Sequence, residues 1–224
     1  MVTSESTQFW WNWWVQLGVS LGTIAAALVA LFGAAWRAKF FPPILRLALL
    51  RPDGEKTPVR LDPPSATGAP SRMEDARFFH LSVKNERRWS PAHEVQVFLT
   101  RIESPGSDGS MTIEWLGSLP MRWRHQEVFP LTRVVGPTAE CDLLGVVKGK
   151  FVELHALIAP YNLQTRRPSP THFIATFEAR SSEANSPPLR IEVHWDGAWH
   201  DGDREMKRHF SIRESLGDPA SIGL

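Results

Sequence analysis

The sequence predicts a mainly β protein in which one N-terminal transmembrane helix precedes an antiparallel β-sandwich. Residues 6–36 form a run of 31 residues without a charged side chain, whereas the remainder divides into short apolar segments separated by turn residues. Those later segments alternate apolar and polar residues, which is the period of a strand and not of a helix. The composition, 42% hydrophobic and 22% charged over 224 residues, fits one folded domain with an additional segment.

The apolar part of the uncharged run, residues 14–36, is long enough to cross a bilayer. As a helix it would extend about 34 Å, against a hydrocarbon core of about 30 Å. A buried helix of a soluble domain would carry a charged face, and a cleaved signal peptide would have a basic start and a shorter apolar run. The start of this chain is acidic. We therefore expect an uncleaved transmembrane helix over residues 9–41, preceded by a short extracytoplasmic tail, residues 1–8.

Tryptophans flank the apolar run at both of its ends. Indole rings favour the headgroup layer of a bilayer, where the ring is buried and the N–H still meets water. We predict that these side chains anchor the helix at the two membrane interfaces, and that the lipid bilayer is a partner of this segment. The predicted anchors are Trp10, Trp11, Trp13 and Trp14 at one interface and Trp36 at the other.

The charges that flank the run predict its orientation. Residues 37–60 carry six basic and two acidic side chains, whereas Glu5 is the only charged residue before the run. Because basic flanks stay in the cytoplasm, we expect a single-pass protein of the cell inner membrane with its N-terminus outside. Residues 42–214 would form the cytosolic sandwich, followed by a C-terminal tail at 215–224. The single cysteine, Cys141, excludes an intramolecular disulfide and agrees with a reducing compartment.

Small residues recur at every fourth position of the predicted membrane helix. Small side chains let two helices approach closely in lipid, where association depends on van der Waals contact. The stripe therefore predicts a homo-oligomer that assembles through the helix. Its members are Gly18, Gly22, Ala26, Ala30 and Ala34.

Short strands are predicted after Pro42 and Pro43, which end the helix because proline lacks a backbone N–H. Asp53-Gly54 is predicted as the turn of a β-hairpin, and residues 62–75 as a flexible loop. About ten short strands separated by turns are typical of a sandwich or a barrel. The predicted strands are 44–50, 57–61, 78–83, 94–102, 111–116, 139–147, 151–157, 173–180, 189–195 and 208–213.

Two adjacent predicted strands carry the pattern V-x-N…A-x-x-V-x-V, formed by Val83, Asn85, Ala92, Val95 and Val97. This pattern resembles that of immunoglobulin-like sandwich domains in many bacterial envelope and membrane proteins. The resemblance implies valines in the core between the sheets, Asn85 at a strand end and close packing at the small Ala92. Such domains mostly bind partners or act as spacers. We therefore expect a non-enzymatic interaction or sensor module, although fold alone does not fix function.

The chain contains no catalytic motif for phosphate transfer, serine hydrolysis or zinc proteolysis, and we expect neither a cofactor nor a metal. The even charge balance argues against a nucleic acid polymer as partner. The one cluster of metal-ligating residue types, within 194–203, leaves a metal-dependent hydrolase as an alternative, although two Asp-Gly turns favour a polar loop. Its members are His194, Asp196, His200, Asp201 and Asp203.

Two basic-aromatic segments are candidate ligand-binding sites. Arginine forks suit phosphate oxygens, and exposed indoles stack on bases, so the ligand would be an anionic small molecule. A ligand-gated membrane-disrupting effector, for example a nucleotide-responsive one of the antiviral-defence type, is therefore the alternative to a module that binds a protein partner. The opposing interpretation places the arginines on solvated strand faces and the tryptophans in the core. The candidates are Arg87, Arg88 and Trp89 in one segment and Arg122, Trp123 and Arg124 in the other.

Overall fold

The computed structural model describes residues 4–60, 73–125 and 131–215. It divides into two compact units, Met1–Pro42 and Pro43–Leu224. The first unit consists of one continuous helix, α1 (Ser4–Phe40), which begins five residues before the predicted membrane segment. Its segment Trp10–Gly33 is long and apolar enough to cross a membrane, by length and composition, and no part of that segment is buried.

The described part of the second unit holds twelve strands and one short helix. It is mainly β, as the alternation of apolar and polar residues predicts. Its elements are β1 (Leu45–Leu49), β2 (Glu55–Arg60), β3 (Met73–Asn85), β4 (Ala92–Pro105), β5 (Met111–Pro120), β6 (Arg133–Val135), β7 (Thr138–Val147), β8 (Phe151–Leu154), β9 (Arg166–Pro168), β10 (Thr171–Arg180), β11 (Leu189–Trp195), α2 (Asp203–His209) and β12 (Phe210–Ser215).

The strands form two six-stranded antiparallel sheets. The first has the order β1-β3-β7-β8-β9, with β2 also paired to β3. The second has the order β12-β11-β10-β4-β5, with β6 also paired to β4. The sequence-based prediction of an antiparallel, mainly β unit after one apolar helix is confirmed.

The Asp53-Gly54 turn does not join a hairpin, contrary to the prediction. The turn itself forms, and Gly54 has the positive φ of 68° that suits glycine. However, β1 and β2 do not pair with each other, because both pair with the same edge of β3. The thirteen-residue β3 is long enough to hold them end to end. Residues 73–75 of the predicted 62–75 loop belong to β3, and 62–72 lie outside the described residues.

The inward side chains of both sheets form one hydrophobic core. Phe79 and Leu81 of the first sheet and Phe177 and Trp195 of the second are at most 1% exposed. All five residues of the V-x-N…A-x-x-V-x-V pattern are buried too. Cys141 is also fully buried, and this burial raises the pKa of its thiol. The cysteine therefore packs as a small hydrophobic residue.

The segment after β5, Met121 to Arg124, crosses from one sheet to the other. The Met121 N–H still donates to the Val97 carbonyl of the second sheet, at 2.9 Å. Two residues later, Trp123 forms an antiparallel β-bridge with Cys141 of the first sheet. This crossing joins the two sheets through backbone hydrogen bonds as well as through the core.

Candidate functional sites of the helix and the sandwich

The five tryptophans predicted as membrane anchors are all exposed on α1. Trp13, at 44%, is the least exposed, and Trp11, at 71%, the most. The Trp13 and Trp14 rings meet edge to face, with centroids 5.0 Å apart. On a helix, Trp14 and Trp36 are about 33 Å apart, which matches the thickness of a hydrocarbon core. Both ends of the apolar segment thus present indole rings at the spacing of two membrane interfaces.

The small-residue stripe is exposed where its side chains are described. A Cβ placed on Gly18 or Gly22 would meet no atom within 4 Å, and Ala26 and Ala30 are exposed. The side chain of Ala34 lies outside the described residues. Successive members advance by about 40° around the helix, so the stripe follows a slow spiral path along it. The described part of the stripe is open to a second helix.

The first basic-aromatic segment forms the turn between β3 and β4, which Asn85 holds in shape. The Asn85 side chain is buried, accepts hydrogen bonds from the N–H groups of Ile44 and Arg87, and donates to the Ser90 carbonyl at 2.7 Å. Arg88 and Trp89 are exposed, Trp89 to 60%. The Arg87 guanidinium lies 5.8 Å from the centre of the Trp89 ring. The turn thus presents an arginine-rich surface beside an exposed indole.

The second basic-aromatic segment lies elsewhere, in the crossing beside β7. Its side chains alternate as predicted, with Arg122 exposed and Trp123 only 2% exposed. The Trp123 indole N–H donates to the Leu131 carbonyl, and its ring stacks under the Arg133 guanidinium. Trp123 is therefore a core residue, and its ring is not presented to a ligand.

Arg124 also forms its ion pairs within the domain. Its guanidinium binds the carboxylates of Glu140 and Glu55, each at 2.5 Å. The hydrogen bond to Glu140 contributes most to the raised pKa of Arg124. These two carboxylates already neutralise the cation that the prediction assigned to an anionic ligand.

The carboxylates of the histidine- and aspartate-rich loop pair with cations and N–H groups of the domain. Asp203 accepts a hydrogen bond from Arg77 at 2.8 Å, which is the main cause of its lowered pKa. Asp196 binds the His209 ring at 2.7 Å, and Asp201 accepts from the Trp199 indole at 3.0 Å. Within residues 4–60, 73–125 and 131–215, no group of three or more His, Cys, Asp or Glu could hold a metal ion. The geometry favours the polar-loop interpretation.

The two remaining histidines of the metal hypothesis pair with other imidazoles. His194 meets His172 edge to face, with centroids 5.7 Å apart, and His172 contacts Glu192 at 3.0 Å. His200 stacks on His209 at 4.7 Å. The rings of His194 and His200 therefore have different partners, on β10 and α2.

Arg77 is a central residue that sequence reasoning missed. It is 2% exposed, and besides Asp203 it donates to the backbone carbonyls of Asp53, His200 and Asp201. One guanidinium thereby ties the loop before α2 to β3 and to the β1–β2 turn. The available signal was its register, because residues 79, 81 and 83 of β3 are inward and apolar, and 77 has the same parity.

A second missed group lies on the first sheet, around His80. Its Nδ1 lies 3.0 Å from Asp142 Oδ1, and its Nε2 lies 4.0 Å from a carboxylate oxygen of Glu55. The His155 ring packs against Phe78 at a tilt of 54°, with centroids 5.4 Å apart, and burial lowers the pKa of its imidazole. A histidine–carboxylate pair of this kind orients an imidazole.

No protein-family model matches this chain, and no curated protein matches it. Arg124 of the basic-aromatic crossing and the carboxylates of the histidine-rich loop pair with other residues of the domain, whereas Arg122 is exposed. The apolar helix and the β3–β4 turn both present exposed side chains.

Proposed function

We propose that this protein is a single-pass membrane-anchored β-sandwich module that binds or senses a partner and is not an enzyme. The observation that carries the proposal is the Trp10–Gly33 segment of α1, whose 24 residues are uncharged, apolar enough on average to cross a membrane, and not buried. Along this segment Leu21, Val29 and Leu31 are 58–74% exposed. A continuous apolar surface of this size is too costly to leave in water. The lipid bilayer is the medium that satisfies it, because a helix pairs its own backbone groups.

The sandwich is proposed to be immunoglobulin-like. Val83 of the first sheet and Val95 and Val97 of the second are fully buried in the shared core, which supports the family pattern. Asn85 stands at the end of β3 and organises the following turn, as the resemblance implies. Domains of this kind act through their surfaces, so the proposal is one of binding rather than catalysis.

The orientation is proposed from the charges that flank the helix. Arg37 and Lys39 lie in the last turn of α1, and the residues before the apolar run carry only Glu5. The N-terminus would therefore be outside and the sandwich in the cytosol. A reporter that is active only in the cytoplasm, fused after Leu224, should be active. Activity of a periplasmic reporter at the same position would overturn this orientation.

Self-association through the helix is proposed from the open stripe. Gly22→Ile adds a branched side chain at a position where a Cβ meets no atom within 4 Å, while the segment stays hydrophobic. Because contact between backbones depends on small side chains, Gly22→Ile should weaken cross-linking of the membrane-embedded protein. Leu21→Ile, beside the stripe, is the matched control and should cross-link as the parent does. Equal cross-linking of both variants would refute assembly through this face.

A further inference from the structure

We infer that the β3–β4 turn, residues 86–91, is a second membrane contact that binds the headgroup layer of an anionic bilayer surface. The inference rests on the proposed function, because it requires α1 to span the bilayer. It extends the membrane contact from the helix to the sandwich itself. Its basis is the covalent chain, the chemistry of the turn and the rigidity of the turn.

The turn is fixed to the residue where the chain enters the sandwich. The Ile44 N–H donates to Asn85 Oδ1 at 3.3 Å, and the Glu86 N–H donates to the Ile44 carbonyl at 2.9 Å. Only four residues lead from Phe40, the end of α1, to Ile44, and an extended chain of that length spans at most about 14 Å. The covalent chain therefore tethers the turn to the membrane surface at which the helix ends.

The side chains of the turn suit a layer of lipid phosphates. Trp89 is 60% exposed and Ile44 beside the turn is 39% exposed, so both offer apolar surface to the interface. Arg87 and Arg88 supply guanidinium groups, which bind phosphate oxygens in a bidentate manner. Indole and guanidinium groups together favour the boundary between water and hydrocarbon.

The turn itself carries two arginines and one acidic residue, Glu86. The Glu86 carboxylate contacts the Arg46 guanidinium at 2.6 Å, and Glu183 contacts His93 at 2.7 Å. Glu86 and Glu94 are both exposed. With Glu86 paired to Arg46, the two arginines of the turn give it a net positive charge. An anionic leaflet attracts such a surface over roughly a Debye length.

The turn is also ordered before it meets a membrane. The Asn85 amide bridges the Arg87 N–H, at 3.0 Å, and the Ser90 carbonyl, at 2.7 Å. The Ser90 N–H in turn donates to the Arg87 carbonyl at 2.8 Å. A preordered turn loses little conformational entropy on binding. This rigidity distinguishes it from a flexible basic linker.

The test places a fluorophore on the turn of the full chain in lipid vesicles. Arg88→Cys, which keeps Arg87 and Trp89 as the groups that meet the lipid, is labelled in a Cys141→Ala background. It is compared with the same label at Ser107→Cys, in the exposed turn at the opposite end of β4. Vesicles of phosphatidylcholine with or without phosphatidylglycerol carry a nitroxide quencher on the lipid headgroup. Resistance of each variant to alkaline extraction is measured in parallel, because it reports the helix alone.

We expect the label at position 88 to be quenched, more strongly with phosphatidylglycerol, and the label at position 107 to be unquenched. Adding Arg87→Ala to the labelled chain should lower the ratio of docked to free turn about fivefold, the usual effect of one basic residue at an anionic surface. Trp89→Ala should lower it as well.

Equal quenching at positions 88 and 107, or quenching at 88 that Arg87→Ala leaves unchanged, would overturn the inference. An extraction-resistant chain without quenching at 88 would refute the membrane contact of the turn and leave the anchored helix standing. A chain released by alkali would refute the proposed function and the inference with it.

Discussion

The helix exposes its hydrophobic side chains, whereas the sandwich buries most of its own. Along α1, Ile24 and Leu31 are 57% and 74% exposed, whereas in the sandwich Ile191 and Leu143 are fully buried. Both units contain many aliphatic and aromatic residues, so the presence of such residues does not separate them. The sandwich closes its own core, whereas the described apolar segment of the helix is left unburied. The arrangement of apolar residues along the chain therefore distinguishes the unit with an exposed apolar surface from the unit with a closed core.

The two units also differ in how they satisfy polar groups. In α1, Thr23 donates its hydroxyl to the Val19 carbonyl one turn earlier, at 2.8 Å, so this polar group is satisfied within the helix. In the sandwich, Arg77 and Gln96 are buried and reach residues far away in sequence. Local satisfaction suits a segment surrounded by lipid, and distant satisfaction suits a domain with a fixed tertiary structure.

The comparison is tested most strongly by the same substitution in each unit. Ile24 on α1 and Ile113 on β5 are exposed to nearly the same extent, 57% and 54%. Ile24→Lys should disfavour membrane insertion by about 3 kcal/mol, because a charged side chain near the centre of a membrane helix is costly. Ile113→Lys should leave insertion unchanged. The measurement is the fraction of each variant that resists alkaline extraction, and equal fractions would contradict a lipid environment for α1.

The second prediction concerns the buried cation of the sandwich. Arg77→Ala should lower the free energy of unfolding by about 2 to 4 kcal/mol, because its partners lose their donors. Those partners are one carboxylate and the carbonyls of Asp53, His200 and Asp201. Denaturant unfolding of the detergent-solubilised chain, followed by circular dichroism, measures the change.

A matched control for the Arg77 prediction is Arg213→Ala. The Arg213 side chain is 71% exposed and contacts Glu192 at the surface, so its removal should not measurably change stability. A decrease as large as that of Arg77→Ala would show that burial does not account for the effect. Membrane extraction should be unaffected in both variants, because neither changes the helix.

The smallest expected effect is a pH dependence that belongs to the sandwich alone. Burial lowers the pKa of His155 below its ordinary value of 6.5, so the unfolded chain binds its proton at a higher pH than the folded chain. The contribution of His155 to the free energy of unfolding is therefore fully present above pH 6.5. It decreases as the pH falls from there toward the lowered pKa of His155 in the folded chain. The denaturation midpoint should be lower at pH 5.5 than at pH 7.5, and His155→Phe should remove that difference.

The carboxylates of the loop before α2 act in a separate, more acidic range. The pKa values of Asp196 and Asp203 are lowered by hydrogen bonds from His209 and Arg77. Their contribution to stability is present above the ordinary carboxyl pKa range and is lost only as the pH falls through their lowered pKa values in the folded chain.

The His155 prediction would be contradicted if His155→Phe lost as much stability as the parent between pH 7.5 and 5.5. His155 would then not be the source of that pH dependence.

Local patterns predicted most of the elements of this chain. The 31-residue uncharged run predicted α1, and alternation predicted β11, residues 189–195, with its bounds unchanged. Alternation also placed Arg122 on the outside and Trp123 inside. Each of these follows from neighbours along the chain, which is the information that periodicity contains.

Features that depend on distant residues escaped prediction. Nothing local shows that β1 and β2 share one edge of β3, so the Asp53-Gly54 turn suggested a hairpin. The short β6 and β9, with three residues each, hold too few positions for a period. Arg77 resembles any surface arginine until the loop that accepts its hydrogen bonds is in place. The ion pair of Arg124 with Glu55 likewise depends on a partner 69 positions away.

The attachment of β1 has a mechanical consequence. β1 follows α1 after four residues and runs antiparallel to β3 over five registered pairs, Leu45↔Asn85 to Leu49↔Leu81. A pull applied along the strand at Leu45 would load these pairs together, in shear, instead of opening them one after another. The Leu49 N–H, bonded to Glu214 of β12 at 2.8 Å, passes part of that load to the second sheet. Tension on α1 would thus be distributed over both sheets before any strand detaches.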